Sequence, residues 1–285
     1  MEVKCYRAEL TGCFGDPVDE NPTGVVEEAA YAANGLNYRY LTMRVEKGRL
    51  KEAVDGVKAI GFRGFNLTIP HKIAIIPMLD ELTQAASIIG AVNTVINENG
   101  KLIGENTDGK GFLTSLEESG VDPKGKRIAV LGAGGAARAI SVELALAGAG
   151  HIAVINRNEE RGTSLVQVIC EKTSATAEYI KWVPGVSIPD NTDVVVQCTN
   201  IALYPDVDGK PDINFDSLKP GMVACDVVFN KPNTPFLQEA SKRGLKTVMG
   251  LGMLVNQAAR NFTLWTGQEA PIDIMTEALM NEFGL

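Results

Sequence analysis

The stretch of this chain best suited to do chemistry is a glycine-rich turn followed, one strand later, by a pair of arginines. In "RIAVLGAGGAARAI" an apolar strand pattern runs straight into Gly132-x-Gly134-x-x-Ala137 and then into a helical pattern. A dinucleotide fingerprint needs that order. Gly132 permits the tight turn, and Gly134 lets the backbone approach a pyrophosphate. Gly135 and Ala136 open a helix whose N-terminal amides face the anion, and the small Ala137 lets that helix pack on the strand. The next apolar run, "HIAVINRN", ends in Asn156, Arg157 and Asn158, with Arg161 a helical turn further on. An NAD site places Asp or Glu about 20 residues after the turn, to accept from the ribose 2′-hydroxyl. Guanidinium groups at a strand tip without a carboxylate suit a 2′-phosphate instead, which arginine pairs in a bidentate, charge-assisted way. The expected cofactor is therefore NADP rather than NAD. The competing reading makes Glu159, Glu160 and Arg161 a solvated helix start.

Lys72 and Asp108 are the other residues with chemistry to offer. Lys72 follows "NLTIPH", where Pro70 ends a strand and delivers the next residues to its carboxyl edge, the usual rim of an α/β site. A lysine there is more often a solvated surface charge than a catalytic group. Asp108, in "ENTDG", reads as a turn residue, as the N-cap of "GKGFLTSLEESG", or as a functional carboxylate.

The elements that must position these residues form an α/β rhythm, with short apolar runs alternating with longer helical patterns as in mainly parallel sheets. The first part reads as strand "KCYRAELTG", helix "TGVVEEAAYAANG", strand "YRYLTMRV", helix "GRLKEAVDGVKAIG" and strand "GFNLTIP". After "HKIAIIPMLDELTQAASIIG" comes the hairpin-like "AVNTVINENGKLIGEN". A second series, opening at "DGKGFLTSLEESG", contains the strands "RIAVLGAG", "HIAVINRN", "DVVVQCT", "MVACDVVF" and "KTVMG". The 285 residues are enough for two such domains. The net charge of −8 carries no long run of like charge, so neither nucleic acid nor a membrane surface is an expected partner, and a small molecule is. Five cysteines without a C-x-x-C pair, and only two histidines, support neither a disulfide framework nor a metal site, and a reducing cytoplasm fits. The N-terminus lacks the apolar core of a signal peptide, and no apolar run approaches the roughly 20 residues that span a bilayer.

Taken in order and spacing, "FNLTIPHK", "GAVNTV", "GENTDGKGF", "GAGGAARA", "NRN" and "GLGMLVNQAA" resemble the shikimate dehydrogenase family along nearly the whole chain. The resemblance implies a discontinuous α/β substrate domain, residues 1–107 and 249–285, and a Rossmann-type, doubly wound NADP domain, residues 108–248. It implies reversible hydride transfer between NADP and a ring carbon bearing an alcohol or ketone. Lys72 and Asp108 match the family's paired catalytic residues. Lys72 would exchange the proton on oxygen, and Asp108 would keep it charged and oriented. Asn66, Thr68, Asn93 and Gln257 match positions that bind ring hydroxyls, a task suited to groups that both donate and accept. Gly250 and Met253 match the stretch beside the nicotinamide, and Thr199 is the survivor of the family's Asn-Ala-Thr-Ser-x-Gly-like run and a further cofactor-binding candidate. A homodimer is compatible with the family but not required by the sequence.

The pattern breaks at "DENPTGVVEE". Members active on shikimate usually show Ser-x-Ser-Pro followed by His-Asn here, and both serines, with a distant tyrosine, hold the substrate carboxylate. This chain has Asn21, Thr23, Glu27 and Glu28 at those places and Phe229 at the tyrosine position. Asn21 and Thr23 can still donate hydrogen bonds; Phe229 cannot. Glu27 and Glu28, in a helix's first turns, are expected to face solvent. In "QCTNIAL" the family's glycine is Ala202. The sequence therefore leaves a choice between a shikimate-type substrate and quinate or another cyclic polyol. A catalytically silent dinucleotide-binding sensor is a further alternative, against which the retained Lys72 and Asp108 argue.

Overall fold

The structure, a computed structural model, describes residues 6–285. Cys5 and the first residues of the strand expected at "KCYRAELTG" lie outside them. The chain divides into two compact units, Met1–Thr107 with Gln257–Leu285, and Asp108–Asn256.

The first unit is built on the strands β1 (Glu9–Gly15), β2 (Tyr38–Arg44), β3 (Gly64–Leu67), β4 (Glu81–Leu82), β5 (Thr94–Glu98) and β6 (Lys101–Glu105). The helices α1 (Thr23–Ala33), α2 (Leu50–Ile60), α3 (His71–Ala74) and α4 (Gln84–Ile89) alternate with them. The sheet order is β2-β1-β3-β5-β6-β4. The β1 strand runs parallel to both β2 and β3, whereas β3–β5 and the β5–β6 hairpin are antiparallel. Successive side chains point to opposite faces of a strand, and β3 and the last five residues of β1 are buried on both faces. Phe14, Phe65, Leu67, Val95 and Leu102 join Val54 and Val57 of α2 in one core. On another side Tyr31 stacks on Phe262 with ring centroids 5.6 Å apart, and Trp265 donates to Val95 O at 3.0 Å. Gly64 is needed for that contact, because a Cβ there would collide with the Trp265 indole and the Val95 carbonyl.

The second unit contains α5 (from Thr107–Glu118), β7 (Arg127–Leu131), α6 (Gly135–Leu146), β8 (His151–Asn156), α7 (Glu159–Lys172) and β9 (Thr176–Lys181). It continues with β10 (Val186–Ser187), β11 (Val194–Gln197), β12 (Ile213–Asn214), β13 (Val223–Asp226), α8 (Pro235–Lys242) and β14 (Lys246–Val248). The long helix α9 (Gly250–Thr266) begins here and continues into the first unit, which ends with α10 (Ile272–Glu282). Six strands form an all-parallel sheet in the order β14-β13-β11-β7-β8-β9. The middle strands are continuous apolar runs because helices cover both faces. Ile128, Val130, Val154 and Val196 meet Ile140 and Leu144 of α6, while Ala129, Leu131, Ile155 and Val195 meet Phe236 and Leu237 of α8.

The α/β reading with two mainly parallel sheets holds. Some elements differ from the sequence reading in detail. The first strand lies later, at Glu9–Gly15, and the third stops at Leu67 rather than running on to Pro70. The sequence reading includes a final helical segment after "GLGMLVNQAARNFTLW", which is α10, but neither β9 nor α8. The β9 strand is an edge strand with exposed, polar alternate positions and so lacks an apolar run. The α8 helix does carry a legible start, with Thr234 accepting from Leu237 N and Pro235 opening the helix.

Candidate active site

In the second unit the chain order reverses at β7, with β8 on one side and β11 on the other. This is the topological switch point at which α/β sheets bind ligands beyond the carboxyl ends of their strands. The Gly132–Gly135 turn leaves β7 at that point. Gly132 has φ +115°, which L side chains rarely adopt, and a Cβ there would sit 3.2 Å from the Thr199 methyl. Gly134 and Gly135 are exposed, and a Cβ on either would meet open space. Gly134 caps α6 without any side-chain hydrogen bond, so no side chain occupies the helix's N-terminal amides. Ala136 is half-buried, and Ala137 is fully buried in the core shared by α6 and the sheet. These residues fit a pyrophosphate.

At the tip of β8 the Asn158 side chain caps α7 by accepting from Arg161 N at 2.9 Å. Asn156 Nδ2 in turn donates to Asn158 O at 2.7 Å. The asparagines thus shape the tip, and they leave Arg157 and Arg161 exposed with no ion pair among the described residues.

Sequence reasoning passed over a buried network at the ends of β11 and β13. Gln197 and Asp226 are directly opposite in register. Gln197 Oε1 accepts from Thr199 N (2.5 Å) and Thr199 Oγ1 (2.7 Å), while its Nε2 donates to Asp226 Oδ1 at 3.3 Å. Asp226 also accepts from Val228 N at 3.0 Å and Thr234 Oγ1 at 2.7 Å. Burial pushes the Asp226 carboxyl up to about 6, against the lowering effect of those donors. The network holds Thr199 beside the glycine turn and ties it to the β13–α8 connection that carries the half-buried Phe229. Ala202, at the family's glycine position, sits at φ +70°, a left-handed conformation that favours glycine. Gly250 opens α9 where a Cβ would press within 2.5 Å of Val228 O, so that glycine serves a close main-chain approach. Met253 packs on the apolar core of the unit. Asp108 lies in the first turn of α5, one residue inside its start rather than capping it, and is half-exposed.

In the first unit the structure gathers Asn66, Asn93 and Gln257 into one buried hydrogen-bonded system. Asn66 accepts from Tyr40 Oη at 2.8 Å and donates to Asn93 O (3.1 Å) and Thr94 Oγ1 (3.0 Å). Asn93 donates to Thr107 Oγ1 at 3.0 Å and accepts from Thr107 N at 2.7 Å. The Thr94 and Thr107 hydroxyls both donate to Asn261 Oδ1, and Asn261 donates to Gln257 Oε1 at 3.1 Å. Tyr40, Thr94, Thr107 and Asn261 were not singled out from the sequence. Asn261 was within reach of it, four residues and one helical turn after Gln257.

Lys72 follows the carboxyl end of β3 in the short helix α3, half-exposed. Its main chain is held by Val92 N donating to Lys72 O at 2.8 Å, and the preceding loop by Thr68 N donating to Phe14 O at 2.9 Å. Thr68 is half-buried, and its methyl is accommodated by Gly15, where a Cβ would overlap it. Asn21 Oδ1 accepts from Thr23 N at 2.9 Å, and Asn21 Nδ2 points to Cys13 Sγ at 3.7 Å. Thr23 is buried.

The expectation that Glu27 faces solvent is wrong. Thr23, Glu27 and Tyr31 recur every four residues on α1 and form its buried face, and Glu27 is 0% exposed. Both its carboxyl oxygens lack a hydrogen bond. The Tyr31 phenol, which shares a hydrogen bond with Thr11 Oγ1 at 2.8 Å, favours the ionised form electrostatically without reaching hydrogen-bond geometry to it. Burial dominates and pushes the Glu27 carboxyl well above the usual carboxylate range, with the Glu28 charge adding to it. Glu28 is only half-buried, and its carboxylate accepts from Tyr40 N.

Among the described residues no group of three His, Cys, Asp or Glu side chains is placed to hold a metal ion, and no helix is long and apolar enough to cross a membrane.

Three family descriptions match the chain in sequence order. They are the shikimate dehydrogenase substrate binding domain at residues 13–95, shikimate/quinate 5-dehydrogenase at residues 115–204, and the shikimate 5′-dehydrogenase C-terminal domain at residues 250–280. A shikimate dehydrogenase (NADP(+)) of Desulforamulus reducens is 43% identical over 96% of this chain and 95% of its own. The ligand-free 5-ketofructose reductase of Gluconobacter sp. strain CHM43 superposes with a TM-score of 0.94 at 44% identity, covering 98% of this chain and 100% of that one. A shikimate dehydrogenase in complex with NADP+ does so with a TM-score of 0.90 at 39% identity, covering 97% and 96%. Identity of this extent along the whole length, together with the turn at Gly132 and the ordered motifs around Lys72 and Asp108, places the chain in the shikimate dehydrogenase family.

Proposed function

We propose that this member of the family, an NADP-dependent oxidoreductase, catalyses reversible hydride transfer between NADP and the ring carbon of a cyclic hydroxy acid of the 3-dehydroshikimate/shikimate type. The observation that carries the reading is the turn at Gly132–Gly135. It lies at the switch point of a parallel sheet, is open above Gly134 and Gly135, and is followed at the next strand tip by exposed arginines. When bound, NADP supplies or accepts the hydride. The main chain of Gly134, Gly135 and Ala136 receives the pyrophosphate. Arg157 and Arg161 take the 2′-phosphate at a tip shaped by Asn156 and Asn158, and Thr199, Gly250 and Met253 flank the nicotinamide. Lys72 exchanges the proton on the ring oxygen, with Asp108 supporting that exchange. Asn66, Thr68, Asn93 and Gln257 hold ring hydroxyls.

The arginine assignment has a direct consequence. Arg157→Ala weakens NADP binding by about 1.5–3 kcal/mol, the scale of a hydrogen bond to a charged group, and leaves NAD binding nearly unchanged. Titration of both cofactors into parent and variant checks it, and equal losses would refute the 2′-phosphate assignment.

A second reading, turnover of an uncharged cyclic polyol or ketose rather than of shikimate or quinate, which both carry a carboxylate, is favoured by the changed carboxylate-binding positions. Asn21, Thr23 and Phe229 replace donors used for a substrate carboxylate, and a buried carboxyl stands behind Thr23. The similarity to a 5-ketofructose reductase points the same way. One regained charge-assisted hydrogen bond is worth roughly 10- to 150-fold in kcat/KM. The combined variant Asn21→Ser, Thr23→Ser, Phe229→Tyr is expected to gain that much on shikimate. A parent already efficient on shikimate, or a folded variant that gains nothing, defeats this second reading. A screen of NADP+ reduction across shikimate, quinate and uncharged cyclic polyols, with NADPH oxidation by their ketones and 5-ketofructose, tests the function as a whole. Absence of turnover throughout the screen would overturn it.

A further inference from the structure

We propose that Glu27 is a specificity-determining residue that sets the Asn21–Thr23 end of the substrate-binding unit against anions, so that this end takes an uncharged hydroxyl-bearing substituent in preference to a carboxylate. The proposal rests on the oxidoreductase reading in its second form, with an uncharged polyol or ketose as substrate, and names the residue that sets the charge accepted at one end.

Four observations converge on it. First, Glu27 lies one helical turn after Thr23 on the same buried face of α1. Side chains on a helix lean toward its N-terminus, so the Glu27 carboxyl lies over the turn that carries Thr23. Second, that carboxyl is fully buried, has no hydrogen bond to either oxygen, and makes no ion pair among the described residues. Third, the start of α1 keeps few of the free amides that make a helix N-terminus attractive to anions. Pro22 brings no N–H, Thr23 N–H donates to Asn21 Oδ1 at 2.9 Å, and Val25 N–H donates to Pro22 O at 3.0 Å. Asn21 Nδ2 is directed to the Cys13 sulfur. Fourth, the groups facing Glu27 hold no cation. Glu28 and Tyr31 belong to its own helix, Tyr40 comes from β2, and Thr11 of β1 bonds Tyr31; α10, which packs on α1, buries the uncharged Met275 and Leu279.

A carboxylate placed at Thr23 therefore finds few donors, and where Glu27 is ionised it meets a like charge. An uncharged hydroxyl avoids that repulsion. The penalty on the anion grows as pH rises and Glu27 ionises.

The test uses shikimate and its methyl ester, which differ in charge at this end. Binding of each to the protein with NADP+ is measured by isothermal titration from about pH 6 to about pH 9. The parent is expected to bind the ester about 10-fold or more tighter than the acid, equivalent to one pKa unit of coupling, with the ratio rising with pH. Glu27→Gln, which keeps the shape and removes the charge, is expected to narrow the ratio by about the same factor and to remove its pH dependence. Glu27→Leu serves as a second uncharged variant, and the pH series on the parent needs no variant at all. A parent that binds acid and ester equally at every pH, binding of neither, or a folded Glu27→Gln with an unchanged ratio overturns the role of Glu27. Failure of NADP+ reduction with every substrate, while the binding ratio behaves as described, overturns the oxidoreductase reading and leaves the role of Glu27 standing.

Discussion

Lys72→Ala lowers turnover by about 10²–10⁴-fold, the usual contribution of a positioned general acid–base group, while NADP binding stays close to that of the parent. The substitution is local. Lys72 is half-exposed, its carbonyl is fixed by Val92 N, and the neighbouring His71 ring is bonded to Val45 O, so truncation beyond Cβ leaves the α3 backbone in place. Asp108→Asn keeps the size of its side chain in the first turn of α5 and removes the charge, so it too is expected to be severely impaired if the pair manages one proton. Steady-state kinetics on the substrate identified by the screen, with a separate NADP+ titration, separates chemistry from cofactor binding. Near-normal turnover in either variant removes that residue from the mechanism.

Asp226 gives the fold a pH signature of opposite sign to that of most acidic residues. Its carboxyl is 1% exposed, and burial raises it from an ordinary 3.8 to about 6, so between those values the folded protein holds a proton that the unfolded chain has released. Stability contributed at this site is therefore full below about pH 4, falls as pH rises toward about 6, and is flat above that, a loss of about 3 kcal/mol. Asp226→Asn cannot ionise and lacks this slope, although it also gives up one of the acceptors used by Val228, Thr234 and Gln197. Urea unfolding of parent and variant from about pH 4 to about pH 7 should show the parent's advantage shrinking across that window. Taking the difference cancels the carboxylates with ordinary slopes, such as Glu239, held low chiefly by Arg243 and also by Lys242. A difference that stays constant with pH rules out an ionising Asp226.

Much of the molecule was legible because its signals are local. A strand running into Gly132-x-Gly134 dictates a tight turn and a helix start whatever surrounds it, since φ +115° at Gly132 is a property of one residue. The parallel strands of the second unit announced themselves as apolar runs because both faces are covered. The hairpin at "NENG" was readable for the same kind of reason, with Asn99 and Gly100 both at positive φ between β5 and β6. Elements without such signals were missed, among them the polar edge strand β9.

The candidate site was legible only in part. Asn66, Asn93 and Gln257 could be named from ordered motifs, but only the fold shows that Tyr40 and Thr94 bond Asn66, that Thr107 bonds Asn93 and that Asn261 links them to Gln257. Glu27 is the clearest case. Local rules for a helix's first turns point a glutamate to solvent, yet the face of α1 that carries Thr23 and Tyr31 is turned inward by the packing of Tyr31 against Phe262 and of α1 against α10. What the sequence determined by itself was most of the elements, the cofactor turn and the residue types able to move a proton, because each depends on spacing along the chain. What only the tertiary structure decided was which polar groups satisfy one another and which carboxyl is left buried without a partner, because desolvation is imposed by neighbours remote in sequence.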